Sequence, residues 1–169
     1  MERNAKGYGW LAAALLLTGT LAHAQDLVRE ARYADITVGN SVATILQIGA
    51  YNNARVDQSG TRQNQAVSQT GSRNQAVVNQ SGVNNAITAQ QNGTANTVQV
   101  SQSGNSNQTG VTQNGTDNAA SVVQTGAYNQ AFVGQYGQAN QASVSQAGFG
   151  GAVSIKQFGD HMNASATQR

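Results

Sequence analysis

Along most of the chain, short runs alternate between two classes of side chain. In Asn118, Ala120, Val122 and Gln124 one class recurs at every second position, with Ala119, Ser121 and Val123 between them. A period of two is that of a β-strand with one buried face. The third inward position is the most strongly apolar: Val56, Val67, Val78, Val100, Val111, Val122, Val133 and Val144, with Ala89, Ile155 and Ala166 as variants. β-Branched residues suit a pleated, half-buried surface. The outward positions hold mainly Gln, Ser, Thr, Asn and Ala, as in Gln75, Ser101, Gln141, Ser143 and Ser145, so this face can meet water. Phe132, Val77 and Val123 are isolated outward exceptions.

The runs recur with a fixed step. The clean copy at Gln113 to Gln124, QNGTDNAASVVQ, has the skeleton Q-x-G-x-x-N-x-A-x-V-x, and the next unit starts at its closing glutamine. Counting in elevens gives Gln47, Gln58, Gln69, Gln80, Gln91, Gln102, Gln113, Gln124, Gln135, Gln146, Gln157 and Gln168. Two residues later comes Gly49, Gly60, Gly71, Gly82, Gly93, Gly104, Gly115, Gly126, Gly137, Gly148 and Gly159. Asparagine fills the first inward position at Asn52, Asn74, Asn85, Asn96, Asn107, Asn118, Asn129 and Asn140. An internal period of this kind decides the fold before any other feature. A spacing without a single insertion implies a structural step that cannot tolerate a slipped residue.

Eleven is odd, so an uninterrupted strand would turn its buried face outward at every repeat. The x-G-x-x segment is expected to reset the phase as a four-residue turn, with glycine free to take a positive φ and Asn92-Gly93 and Asn114-Gly115 strengthening the signal. A meander of hairpins and a solenoid share this period. In a solenoid each Gln and Asn lies above its counterpart one coil below, and the side-chain amides bond in ladders. In an antiparallel meander equivalent residues fall out of register, which leaves the repeated identities without a cause. The residue after each glutamine alternates between a small set, Ser59, Ser81, Ser103, Thr125 and Ala147, and a varied one, Ile48, Thr70, Asn92, Asn114, Tyr136 and Phe158. This predicts an all-β, cross-β solenoid with two strands and 22 residues per coil. Residues 36 to 168 then make about six coils at ~4.8 Å each, a stack roughly 30 Å tall.

Three segments are expected: a signal peptide over 1–24, a leader over 25–35 and the solenoid over 36–169. Arg3 and Lys6 precede a mostly apolar run from Trp10 to Leu21, and Ala22-His23-Ala24 forms an A-x-A cleavage site. The run is too short for a membrane span. From Gln25 onward, Arg29, Arg32, Arg55, Arg62, Arg73, Lys156 and Arg169 stand against Asp26, Glu30, Asp35, Asp57, Asp117 and Asp160, close to neutrality. No basic footprint for nucleic acid is present. Cysteine and proline are both absent. An exported chain this polar, without disulfides or a conventional core, is either disordered or held by repetitive ladders.

With QTGSRNQA at Gln69 to Ala76, QTGAYNQA at Gln124 to Ala131 and QYGQANQA at Gln135 to Ala142 repeated in register, residues 36 to 169 resemble the curlins, subunits of the amyloid curli fibres of bacterial surfaces. The resemblance implies a secreted, cell-surface β-solenoid that polymerises end to end. It also implies partners: other copies of itself, the major curlin, an outer-membrane curli export pore and an assembly factor. The segment QDLVREARYADITVGN and the end Ala166-Thr167-Gln168-Arg169 are more similar to the minor, nucleating curlin than to the major one, which carries a glycine-rich leader. Its units depart from the pattern at Gln63 and Gln65, at Gly151 and at Met162. Before Gln47, a degenerate unit places Ser41, Ala43 and Ile45 inward and Val42 and Leu46 outward. The final unit adds Lys156, Asp160, His161 and Arg169, and charges at an edge discourage pairing, so it is expected to be the anchoring end that does not extend.

No catalytic residue, cofactor, metal ligand or small-molecule substrate is expected. After the signal segment His161 is the only histidine, and Asp57 and Asp117 lie in separate repeats. A usable site needs convergent partners, so His161 reads as a turn residue. Acidic nonapeptides for calcium are missing, and Thr88, Thr97, Thr112 and Thr167 do not align as an ice-binding face would. The remaining readings are a major curlin, a non-polymerising secreted solenoid adhesin and a disordered Gln/Asn-rich linker.

Overall fold

The computed structural model describes residues 31–38 and 40–169, so the expected signal segment 1–24 lies outside it, as do residues 25–30 of the leader. Among the described residues every regular element is a β-strand, in two sheets. The first sheet holds β1 (Ala31–Val38), β2 (Ser41–Ala50), β4 (Asn64–Ser72), β6 (Ala86–Thr94), β8 (Gln108–Thr116), β10 (Gln130–Gln138) and β12 (Ala152–Phe158), adjacent in that order. The second holds β3 (Asn53–Thr61), β5 (Gln75–Val83), β7 (Thr97–Asn105), β9 (Ala119–Ala127), β11 (Gln141–Phe149) and β13 (Asn163–Gln168), again adjacent in chain order.

Consecutive strands therefore lie in opposite sheets, and from β2 onward the chain winds six coils of two strands. Neighbours within a sheet are parallel at an offset of 22 residues: Gln69 pairs with Gln91 and Gly71 with Gly93 in the first sheet, Val100 with Val122 and Gln102 with Gln124 in the second. The 22-residue coil and the two sets of post-glutamine residues are borne out, since Ser59 pairs with Ser81 and Tyr136 with Phe158. β1 is the exception. It runs antiparallel to β2, from Ala31 opposite Ile48 to Val38 opposite Ser41.

The core is a thin layer between the sheets. Val78, Val100, Ala54, Ala76 and Ala131 are fully buried, and Ile45, Val67, Val122 and Val144 nearly so. Burial of one such valine stabilises by roughly 1.5–3 kcal/mol. Ser41, Ala43 and Ile45 are buried and Val42 exposed, as the degenerate first unit predicts. Ten of the twelve ladder glutamines and all eight ladder asparagines are buried too, so the core is half amide.

The corners are built differently from the expected four-residue turn. Strand pairing continues through the glycine, which lies at φ between +102° and +135° along the repeat, and the chain bends two residues later. There a residue of ordinary type sits at φ near +55°: Arg73, Asn84, Ala95, Ser106, Asp117, Tyr128 and His161 among others. The 11-residue grid puts Gly150, φ +71°, in this slot in one unit. Each non-glycine here carries strain on the order of 1 kcal/mol. The N–H of the bent residue is satisfied by the coil below, as from Asp117 to the Thr94 carbonyl at 3.0 Å.

Glycine is required less for bending than for approach. A Cβ on Gly115 would lie 1.9 Å from the carbonyl oxygen of Gly137, and the same collision recurs at 2.0 Å for Gly49 with Gly71 and for Gly93 with Gly115. Gly115→Ala should cost ~4 kcal/mol or more, because the obstacle is backbone and φ is unsuited to an L side chain. At Gly134 a Cβ would meet only ordinary contacts, 3.4 Å from the Tyr136 ring. Gly134→Ala should change stability by less than about 1 kcal/mol. Urea midpoints of the two freshly refolded monomers check this, and equal shifts would show that the glycine column does not set the coil spacing.

Candidate functional site: amide ladders and end faces

Two columns of glutamine run the length of the stack. Gln47 donates Nε2 to Oε1 of Gln69 at 2.6 Å, and the chain continues through Gln91, Gln113, Gln135 and Gln157 at 2.8 to 3.0 Å. The second column runs from Gln80 through Gln102, Gln124 and Gln146 to Gln168 at 2.6 to 3.2 Å. Every donor points toward the C-terminal coil. In the central coils the second hydrogen on Nε2 fixes this sense, since Gln69 also donates to the Asn53 carbonyl at 3.0 Å and Gln113 to the Thr97 carbonyl at 2.9 Å. An oxygen turned to that position would face a carbonyl.

The asparagines clamp coil to coil through the backbone. Asn118 donates Nδ2 to the Gly137 carbonyl at 2.9 Å, while its Oδ1 accepts the N–H of Asn140 at 3.1 Å. The same pair of contacts joins Asn96 to Gly115 and Asn118, and Asn107 to Gly126 and Asn129. The glycine and asparagine of Q-x-G-x-x-N thus act together across a coil boundary. Glycine lets the next backbone come close, and asparagine binds both polar groups that this approach buries. Sequence reading identified both residues but not their joint action, because the partner lies 19 to 22 residues away.

The departures fall near the ends. Gln58 donates to the Val42 carbonyl instead of to Gln80, whose Oε1 is bonded by Gln65. Gln63 takes over the asparagine role toward Gly82, but Oε1 of Gln63 and of Gln65 are buried without a partner. At the other end Met162 and Gly151 supply N–H groups to Asn140 and Asn129 but offer no amide onward. One departure is absorbed: Thr109, in an alanine slot, accepts from Gln102 and donates to Gln124, both at 2.8 Å.

The two ends of the stack differ. At the N-terminal end β1 covers the β2 edge, and the β3 edge carries the exposed ion pair Arg55–Asp57 at 2.9 Å. At the C-terminal end β12 and β13 are the outermost strands of their sheets among the described residues. The pairing of β1 is thus a difference between the ends that stands beside the charges of the final unit. Asp160, on the surface, accepts the N–H of Gln138 in the preceding coil at 2.7 Å, and His161 occupies a corner position. The last two coils also carry aromatic contacts that the repeat pattern does not announce: Tyr136 stacks on Phe158 at 4.9 Å, and Tyr128 meets Phe149 at 5.1 Å.

The family model of the curlin associated repeat matches the chain over residues 93–126 and 115–148, which supports the curlin family. Among curated proteins none matches. The asparagine positions of the matched span lie within the run, Asn74 to Asn140, in which every asparagine position is occupied by asparagine.

Asn118→Ala removes two bonds to the next coil and leaves the Gly137 carbonyl and the Asn140 N–H buried and unpaired, so it should destabilise the monomer by about 2 kcal/mol or more. Asn105→Ala, at an exposed position, should cost less than about 0.5 kcal/mol. Urea denaturation compares the two, and amide exchange at Asn140 should accelerate only in the first. Equal effects would mean that the clamp adds nothing to an ordinary surface contact.

Proposed function

We propose that this chain is a structural subunit of extracellular curli fibres, and specifically the minor subunit that nucleates polymerisation of the major curlin at the cell surface. The observation that carries the fibre reading is the 22-residue register kept through six coils, ending in the adjacent uncovered edges of β12 and β13. Unpaired edge groups bind any chain with the same repeat, and each added coil gains a row of backbone hydrogen bonds and new amide bonds. The curlin-repeat matches support a fibre-forming, structural and extracellular role rather than an enzymatic one. Support for the nucleating subunit comes from the leader without a glycine run and the Thr167-Gln168-Arg169 end. The ladder glutamines and asparagines are then the residues through which copies stack, and the export pore, the assembly factor and the major curlin are its partners.

Purified chain should convert to fibres whose diffraction shows the ~4.8 Å and ~10 Å cross-β spacings. Small amounts of those fibres should abolish the lag of purified major curlin. Fibres that leave the lag unchanged would overturn the nucleating role alone. A chain that stays monomeric with its β-structure intact would instead be a secreted solenoid adhesin.

A further inference from the structure

We propose that β1 is a displaceable cover, and that each junction between copies forms when β12 of one copy replaces β1 on the β2 edge of the next. The proposal rests on the fibre reading and adds the polarity of growth and its control. Two observations carry it. The first is the sense of the amide columns. Because backbone carbonyls orient the Nε2 of the central glutamines and of Gln157 toward the C-terminal coil, and Gln47 and Gln146 follow the same sense, the N-terminal face offers the Oε1 of Gln47 and the C-terminal face the amide hydrogens of Gln157 and Gln168. Donors meet acceptors only when the C-terminal face of one copy meets the N-terminal face of another. Two C-terminal faces would oppose donors to donors.

The second is geometry left open at the last described coil. Gly159 keeps the φ of its column, +123°, yet a Cβ there would meet only the Met162 sulfur at 3.8 Å, whereas one on Gly137 would strike the Gly159 carbonyl at 2.1 Å. Advancing the register by one more step brings Ile45, Gln47 and Gly49 of a second copy onto Ile155, Gln157 and Gly159. All of these second-copy residues lie on β2, the strand that β1 covers antiparallel over eight residue pairs. Parallel stacking and the β1 pairing use the same edge and exclude each other. Exchange gives up one antiparallel strand and gains two parallel ones with their amide bonds, so it is favourable once a partner face is present and slow without one.

The chain has no cysteine, which permits a direct test. Thr37 lies opposite Val42, and Val42 directs its N–H to Gln63 on the other side, so the two form a close, non-hydrogen-bonded pair suited to a disulfide. Thr37→Cys/Val42→Cys, oxidised, should form fibres roughly tenfold more slowly or not at all, because the edge stays paired. Reduction should restore assembly. Ser101→Cys/Val123→Cys joins two central coils and leaves the ends alone, so it should assemble in both redox states. Equal assembly of the locked chain oxidised and reduced would overturn the cover while leaving the fibre reading intact. Failure of both variants in both states would overturn the fibre reading and the cover together.

Discussion

The structure depends on one constraint: amides buried between two sheets must find their partners in the coil directly above or below. A buried polar group without a partner costs about 1–3 kcal/mol, and the interior holds ten ladder glutamines and eight ladder asparagines. A shift of one residue would turn every amide outward and every outward side chain in. The register of 22 is therefore enforced at each step by many groups at once, which explains a spacing kept without insertion from Gln47 to Gln168. The valines and alanines contribute burial, but burial alone is indifferent to an antiparallel return. The directional bonds to Gly carbonyls and Asn N–H groups supply the specificity.

A stack coupled in this way is nearly one-dimensional, each coil stabilised by its neighbours and by little else. That accounts for the absence of disulfides and proline. A disulfide closes a loop that the coil already closes, and proline would remove an N–H from strands paired on both sides. It also accounts for the tolerance of strained corners. Each αL side chain costs on the order of 1 kcal/mol, but the same bend places its N–H on the coil below, as from Arg73 to the Ala50 carbonyl at 3.0 Å, and delivers the following asparagine to its clamp. The amino acid at the bend varies freely because the contacts there are backbone.

What was legible in the sequence is what repeats locally. The alternation around Val122 gave the strands and their buried face, the eleven-residue count gave the coil boundaries, and the two classes of residue after glutamine gave two strands per coil. What was not legible depends on neighbours far away in the chain. That Gly115 is needed because Gly137 passes within contact distance, or that Asn118 serves Gly137 and Asn140, requires knowing which residues lie one coil on. The antiparallel course of β1 was hidden for a related reason: it lies outside the repeat, so no periodicity could place it. The charges of the final unit suggested a blocked end because edge charges commonly act that way, and the covering of the opposite edge by β1 could not be read beside them.

The irregularities sharpen this difference between the ends. Unpartnered Oε1 atoms at Gln63 and Gln65 leave two amides in the first two coils half satisfied, while Met162 and Gly151 interrupt the clamps only beyond the last complete coil. Between them the ladder from Asn74 to Asn140 is unbroken. A chain arranged in this way is most completely bonded in its centre and least so toward its N-terminal end, where β1 is also held by a single pairing. Complete bonding in the centre preserves the template, and a less completely bonded N-terminal end lets that face adjust to the one it meets. A fully regular stack would have polar but uncovered edges at both ends. Here the polarity of the amides selects the faces that match, and the defects toward the N-terminal end lower the barrier to bringing them together.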